Sequence, residues 1–282
     1  MSLRFLIVDV FTSTALQGNQ LAVFPDADDI PESLLLPLAR EMHFSETVFL
    51  RTPSEGGDAR CRIFTPAIEL AFAGHPVLGS AVVIGRARRL DLVRLEITAG
   101  MVPVQLRDRE AAVTSGRMDQ PLPRVGAFPA ADALFEALGV EGSEVPVELY
   151  DNGAWHAFVV LDGPERVAAV EPDMGRLGRV AGHTGVSCAG GAGSRWTTRM
   201  FLPAGGVPED PATGSAAGPL AVHLARHGLI GWGKEITISQ GAAVDRPSTL
   251  LARAEGSAEG VTRVEVGGSA VVVAEGEFLL PG

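Results

Sequence analysis

The sequence predicts an α+β fold of two similar halves, each a strongly curved sheet wrapped around one central helix. Three observations predict it. The first is a repeat. Residues 62–67 read Arg-Ile-Phe-Thr-Pro-Ala, and residues 199–204 read Arg-Met-Phe-Leu-Pro-Ala. Arg62, Phe64, Pro66 and Ala67 match Arg199, Phe201, Pro203 and Ala204 at a constant offset of 137 residues. Gly74 and His75 then match Gly214 and Ser215 with a three-residue insertion. Chance could repeat so short a string, but the flanking patterns agree as well, and a duplication explains both. The second observation is that short strand signals dominate and few helices interrupt them, a pattern of mostly antiparallel or mixed sheet rather than strict βαβ alternation. The third is that residues 76–85 and 215–225 are apolar on almost every face. A helix of that kind in a globular chain is buried all round.

The elements follow in order. Strands are expected at 3–11, 20–24, 46–51, 59–65, 93–98, 102–107 and 111–115 in the first half. The second half carries them at 145–150, 155–161, 184–188, 196–202, 235–239, 249–254, 261–266 and 270–280. They are rich in Val, Leu and Thr and are bounded by Gly, Pro and Asp. Helices are expected at 31–43, 76–89, 131–138, 164–170, 173–180 and 215–227. Pro76 suits a first helical position, Ser215 an N-cap or first-turn position, and Gly228 the residue just past a helix end. Pro37 falls inside its helix, so a kink or a late start is expected there. The halves are expected to divide near 116–125, where Gly116-Arg-Met-Asp-Gln-Pro-Leu-Pro123 breaks the strand rhythm. The lobes are thus 1–118 and 119–269.

Composition narrows the function. At 282 residues and 46% hydrophobic, the chain can bury two real cores, and disorder is not expected. A net charge of −11 argues against nucleic acid as a partner, though not against a small anionic substrate, which responds to local fields. No run of 18 apolar residues exists, so no membrane span is expected. The apolar start is interrupted at Asp9, too early for a secretory signal, and reads as a first strand. Cys61 and Cys188 have no CxxC spacing, which disfavours a disulfide framework and a cysteine zinc site; a reducing cytoplasm is expected. Lys234 is the only lysine and sits in a Gly-Trp-Gly-Lys turn, a poor place for a Schiff base.

The candidate site lies at the two helix starts. A helix start offers free N–H groups and about half a positive charge, so two of them facing one cleft would hold a small carboxylate. Gly74 and Gly214 permit close backbone approach. Taken singly, each glycine reads as a turn; as a matched pair before buried helices, they point to a site. His75 has an ordinary pKa of roughly 6.5 and can act as acid or base, although alone it reads as an N-cap. Asp210, in Glu209-Asp-Pro-Ala-Thr-Gly-Ser215, would alone read as a cap of the second helix. Glu46 is a carboxylate entering an apolar strand, where desolvation favours its protonated form, or else an exposed turn residue. His223 and His227 have i,i+4 spacing but no HExxH context, so no metal is expected. Gly190-Gly-Ala-Gly193 lacks the setting of a dinucleotide fingerprint, and no GxSxG elbow occurs.

These residues together resemble the phenazine-biosynthesis PhzF-like family of isomerases, within the diaminopimelate-epimerase-like fold. The likeness runs along almost the whole chain. It rests on Val8-Asp-Val-Phe11 with Gly18-Asn19 and Leu21-Ala-Val-Phe24, and on Ala39-Arg-Glu-Met42 with Ser45-Glu46-Thr47. It rests also on Arg62-Ile-Phe-Thr-Pro66 with Glu69 and Phe72-Ala-Gly-His-Pro76, and on Glu209-Asp-Pro-Ala-Thr-Gly-Ser215 with Gly218-Pro-Leu220. The resemblance implies two barrel-like lobes around central helices, with 270–282 crossing back to the first lobe, and a homodimer. It implies cofactor-free proton transfer on a small carboxylate such as trans-2,3-dihydro-3-hydroxyanthranilate. Glu46 would shuttle the proton, helped by His75 and Asp210, while Ser45, Gly74, Gly214 and Ser215 would line the site and bind substrate. Gln20 and Ala71 stand where the family often has proline, which bears on substrate shape. Thiol racemases of the same fold carry cysteines where this chain has His75 and Ser215, so a two-thiol mechanism is disfavoured. A non-thiol epimerase and a catalytically silent ligand-binding protein of this fold remain the alternatives.

Overall fold

The computed structural model describes residues 2–203, 208–257 and 259–280. Ala204 of the repeat lies outside them. The contacts divide the chain into two compact units, residues 1–119 with 267–282, and residues 120–266.

The first unit runs β1 (Ser2–Val10), β2 (Asn19–Phe24), α1 (Glu32–Met42), β3 (Glu46–Arg51), β4 (Ala59–Phe64), β5 (Glu69–Leu70), α2 (Gly74–Arg88), β6 (Leu92–Ile97), β7 (Gly100–Arg107) and β8 (Val113–Asp119). β1 pairs antiparallel with β2, and β2 pairs parallel with β3. β3–β4 is antiparallel and β4–β6 parallel. β6–β7–β8 is an antiparallel meander. The helices α1 and α2 supply the two parallel crossovers. The last strand, residues Gly260–Leu279, closes the ring: it pairs with β8, and antiparallel with β1 from Ser2↔Leu279 to Val10↔Ala270. The result is a closed eight-stranded barrel.

α2 fills this barrel. Every residue from Gly74 to Gly85 is buried, as an all-round apolar helix requires. Burying Val77, Leu78, Val82 and Ile84 contributes about 1.5–3 kcal/mol each. Gly79 lets the helix approach the wall, since a Cβ there would lie 2.6 Å from Leu21 Cδ2. Pro76 is the third helical residue rather than the first; the first-turn N–H groups have no helical partner, so proline costs no bond there either. On the outer face, α1 lays Leu35, Leu38 and Ala39 against Phe24, Phe49 and Phe64. α1 is continuous from Glu32 with Pro37 inside it, so the expected late start does not occur.

The second unit runs β9 (Arg124–Ala127), α3 (Ala131–Leu138), β10 (Glu148–Asp151), β11 (Trp155–Leu161), α4 (Pro164–Ala168), α5 (Met174–Ala181), β12 (Gly185–Ala192), β13 (Arg195–Phe201), β14 (Glu209–Asp210), α6 (Gly214–Arg226), β15 (Glu235–Gln240), β16 (Ser248–Ser257) and the start of β17 (Gly260–Leu279). Its ladder repeats the first. β11–β12 and β13–β15 are parallel, with helices between, and the pairs β9–β10, β10–β11, β12–β13 and β15–β16 are antiparallel. α6 is buried from Gly214 to Ala225 and ends with Gly228 at φ 72° just beyond its C-cap. Leu134, Leu138 and Leu177 of the outer helices pack on Ala157, Val159 and Leu161 of β11.

Several elements differ from expectation. β9 carries no alternating apolar pattern and was not expected. The expected strands 261–266 and 270–280 are one strand, β17, running through Gly267-Gly268. Gly267 leaves room for a neighbouring strand, since a Cβ there would lie 2.9 Å from the Gly116 carbonyl oxygen. β12 likewise continues through Gly190-Gly191 to Ala192.

Candidate active site

The repeated Arg-x-Phe motif has a structural role in both units. Arg62 forks onto the Glu69 carboxylate, with Nη2–Oε2 at 2.8 Å, and its guanidinium lies 5.4 Å over the Phe64 ring. Arg199 grips Glu209 through Nε–Oε1 at 3.0 Å and Nη2–Oε2 at 2.8 Å, and lies 5.0 Å over Phe201. Each glutamate stands opposite that phenylalanine in the two-residue strand ahead of the helix. The fork and cation–π contact thereby fix the turn that delivers each helix start. From Glu69 and Glu209 onward the match is Gly74 with Gly214 and His75 with Ser215. Asp210 therefore matches Leu70.

In the first unit, β3 opens with Glu46 on the barrel's inner face, just after Ser45. His75, second residue of α2, is 3% exposed and presents Nε2 to Glu46 Oε2 at 3.3 Å. The two atoms are in contact without the alignment of a hydrogen bond. On the other side of the ring, Nδ1 lies 3.2 Å from the Asn19 side-chain nitrogen. Burial pushes the His75 pKa down to about 3, opposed by a hydrogen bond with the Gln20 backbone, so the ring is neutral. Asn19 is itself delivered by Gly18, whose φ of 71° and lack of a Cβ are required, because a Cβ would lie 2.4 Å from the Val10 carbonyl oxygen. Gly74 is the first residue of α2, and its N-cap, Ala73, offers no side-chain cap.

In the second unit, Asp210 is 4% exposed and accepts a 2.5 Å hydrogen bond from Thr213 Oγ1. Gln240, at the end of β15, donates through Nε2 to Thr213 Oγ1 at 3.0 Å and to the Asp210 carbonyl at 2.8 Å. Its Oε1 accepts from Thr198 Oγ1 and from the Thr213 N–H. A relay from Gln240 through Thr213 thus orients the Asp210 carboxylate. Thr213 is also the N-cap of α6, without a side-chain cap bond; its hydroxyl serves Asp210 instead. Gly214 and Ser215 follow in the first turn. Their carbonyls accept from the Gln120 and Asn152 amides at 2.8 and 2.9 Å.

Sequence reasoning thus missed Asn19, Thr213 and Gln240 as positioning groups. Gly18-Asn19 carried a signal, since a glycine before a strand marks a forced turn; Gln240 carried none. The sequence also paired His223 with His227 but missed Glu148, which gathers both. Glu148 Oε2 lies 3.4 Å from His223 Nδ1 and 3.1 Å from His227 Nε2, and accepts from Tyr150 at 2.7 Å. Arg226 reaches its other oxygen at 3.3 Å. These bonds hold the carboxyl well below its ordinary range. Cys61 and Cys188 are buried, with thiols pushed up to about 12, and neither sits at a helix start. They have no thiolate to offer at neutral pH.

The buried histidines make a stability prediction. His75 and His156 are each pushed by burial from 6.5 down to about 3. The unfolded chain therefore binds more protons, and their contribution is present above pH 6.5 and is lost as pH falls toward 3. The slope is about 1.4 kcal/mol per pH unit for each ring. Urea unfolding at pH 7, 6 and 5, above the carboxylate range, should show stability dropping by ~3 kcal/mol per unit once below the unfolded pKa. A flat profile across this range would contradict the buried, neutral state of both rings.

The comparisons with known proteins agree with this architecture. The profile of the phenazine biosynthesis-like family (PhzC-PhzF) matches residues 8–276. A trans-2,3-dihydro-3-hydroxyanthranilate isomerase from Pseudomonas fluorescens is 46% identical over 277 residues, covering 98% of this chain and 99% of its own. The crystal structure of a PhzF-family protein from Bacillus anthracis superposes with a TM-score of 0.86 at 24% identity, over 99% of this chain and 100% of that one. A hydroxyproline epimerase from Agrobacterium vitis shares the fold at a TM-score of 0.67 and 16% identity, over 98% of this chain and 91% of that one. The chain belongs to the phenazine biosynthesis-like family. It is a PhzF-like isomerase on the diaminopimelate-epimerase-like fold. Among the described residues no helix is long and apolar enough to cross a membrane.

Proposed function

We propose that this isomerase acts on trans-2,3-dihydro-3-hydroxyanthranilate or a close carboxylate-bearing analogue, without a cofactor. Glu46 takes a proton from one ring carbon as that C–H electron pair enters the conjugated system. It then returns the proton to another carbon as a new C–H bond forms. The observation that carries this reading is the buried contact of Glu46 with a histidine that burial keeps neutral. A neutral imidazole leaves the carboxylate free to accept a proton and to give it back, where an imidazolium would hold it as an ion pair.

His75, oriented by Asn19, supports that transfer. Asp210, oriented by Thr213 and Gln240, is assigned to a polar group of the substrate. Ser45, Gly74, Gly214 and Ser215 are assigned to binding, the helix starts favouring a carboxylate. A homodimer and a cytoplasmic setting belong to the same proposal. The buried, reduced cysteines support the second, and light scattering giving twice the mass of one chain would support the first. The test of function is direct: purified chain, free of added cofactor, with trans-2,3-dihydro-3-hydroxyanthranilate, followed by chromatography. Conversion to an isomer of equal mass is expected. No conversion would reject this substrate.

A further inference from the structure

The ladder registers allow each position around one helix start to be matched to the other unit. Thr47 of β3 opposes Phe64, and Val186 of β12 opposes Phe201. With Phe64 matched to Phe201, Glu46 matches Gly185. Glu46 opposes Leu21 on β2, and Gly185 opposes His156 on β11, so Leu21 matches His156. The chemistry is exchanged between the two frames. Glu46 stands where the second unit has glycine. Asp210 and His156 stand where the first unit has Leu70 and Leu21. Ser215 answers His75. Four of these five polar residues are already candidates for the site, and His156 is the fifth.

Its surroundings fit a ligand group better than a packing group. Ala157, Val159 and Leu161 face the outer helices, so strand alternation turns His156 and Phe158 toward α6. Gly185 lets the ring and Met200 approach the β12 backbone closely, since a Cβ there would lie 3.3 Å from His156 Nδ1 and 3.1 Å from Met200 Sδ. His156 is 3% exposed, and neither ring nitrogen has a hydrogen-bond partner among the described residues. A buried polar group in that state lowers stability, and the matching leucine shows that the frame accepts an apolar side chain.

We propose that His156 is a substrate-contacting residue, hydrogen-bonding a hydroxyl or amino substituent through its ring. A neutral imidazole carries one donor and one acceptor, which suits a group that can both accept and donate; a carboxylate can only accept. Burial keeps the ring in that form, pushing its pKa down to about 3. The inference rests on the isomerase reading above for the class of ligand.

The test is His156→Leu, which places in the second frame the residue found in the first. The probe is 3-hydroxyanthranilate, which carries carboxylate, amine and hydroxyl, titrated calorimetrically into wild type and variant. Affinity is expected to fall at least tenfold, while the Tm stays level or rises because a buried unpartnered polar group has been removed. Turnover is read separately, and kcat/KM should fall about a hundredfold. Equal affinity for the probe overturns the inference, as does a wild type that does not bind it. If the leucine variant loses Tm, His156→Gln decides, since its amide keeps a donor and an acceptor: affinity regained to within threefold of wild type upholds the contact, and none regained assigns the ring to packing. A wild type that binds the probe through His156 but turns over no substrate would reject the proposed reaction and leave this contact standing.

Discussion

Glu46→Gln is expected to lower kcat by roughly 10³-fold or more, the scale of a lost general acid–base group. The amide has the size and hydrogen-bonding reach of the acid but cannot take a proton. Substrate affinity should stay within about tenfold, a difference of roughly 1.4 kcal/mol. The local structure gives no reason for a larger loss. Glu46 opens β3 in register with Leu21, and its backbone pairing does not depend on the side chain. His75 keeps its neighbour Asn19 and its burial in α2. Stopped-flow kinetics and direct binding would separate the two effects. Normal turnover by the glutamine variant would reject Glu46 as the base and leave His75 and Asp210 as the acid–base candidates.

The second large effect is structural. Ending the chain after Val266 removes the outer length of β17, and with it the partner of β1 from Ser2 to Val10. The pairing bonds of one barrel seam and the Arg4–Glu275 ion pair are lost together. α2, buried along Gly74–Gly85, would then face water through the open seam. A helix apolar on all sides has no face suited to that exposure. Hydrogen exchange in β1 and α2 should lose its protection, and the product should aggregate through the unpaired edge. Unchanged protection in β1 would show that the closing strand is dispensable.

Much of the fold was legible because its strongest constraints are local. Residues 76–85 and 215–225 lack a polar face, so each had to be a central helix, and α2 and α6 are that. The repeated Arg-x-Phe string marked equivalent turns, and its cause is visible in the Arg62–Glu69 and Arg199–Glu209 forks. What was not legible depends on pairing between distant residues. The two-residue strands β5 and β14 exist only because β4 and β13 accept them. β17 passes two glycines, which as a local pattern signal a break. Among the candidate residues, Glu46, His75 and Asp210 could be singled out by residue type and by likeness to a family. Asn19 and Gln240 could not, because their part is to orient another side chain, and only the fold brings them beside it. His156 was hidden for a further reason: alone in an apolar strand it reads as a core residue, and only the register that sets it against Leu21 shows it to be out of pattern.

In the proposed reaction the chain isomerises its substrate by moving a proton through Glu46. Proton NMR in heavy water tests this most directly, with trans-2,3-dihydro-3-hydroxyanthranilate, no added cofactor, and wild type beside Glu46→Gln. Glu46 keeps 14% side-chain exposure, enough for its acid proton to exchange with solvent. Wild type is expected to form an isomer carrying deuterium at the ring carbon that receives the proton, and the glutamine variant to form none. An isomer formed equally by both proteins would contradict it.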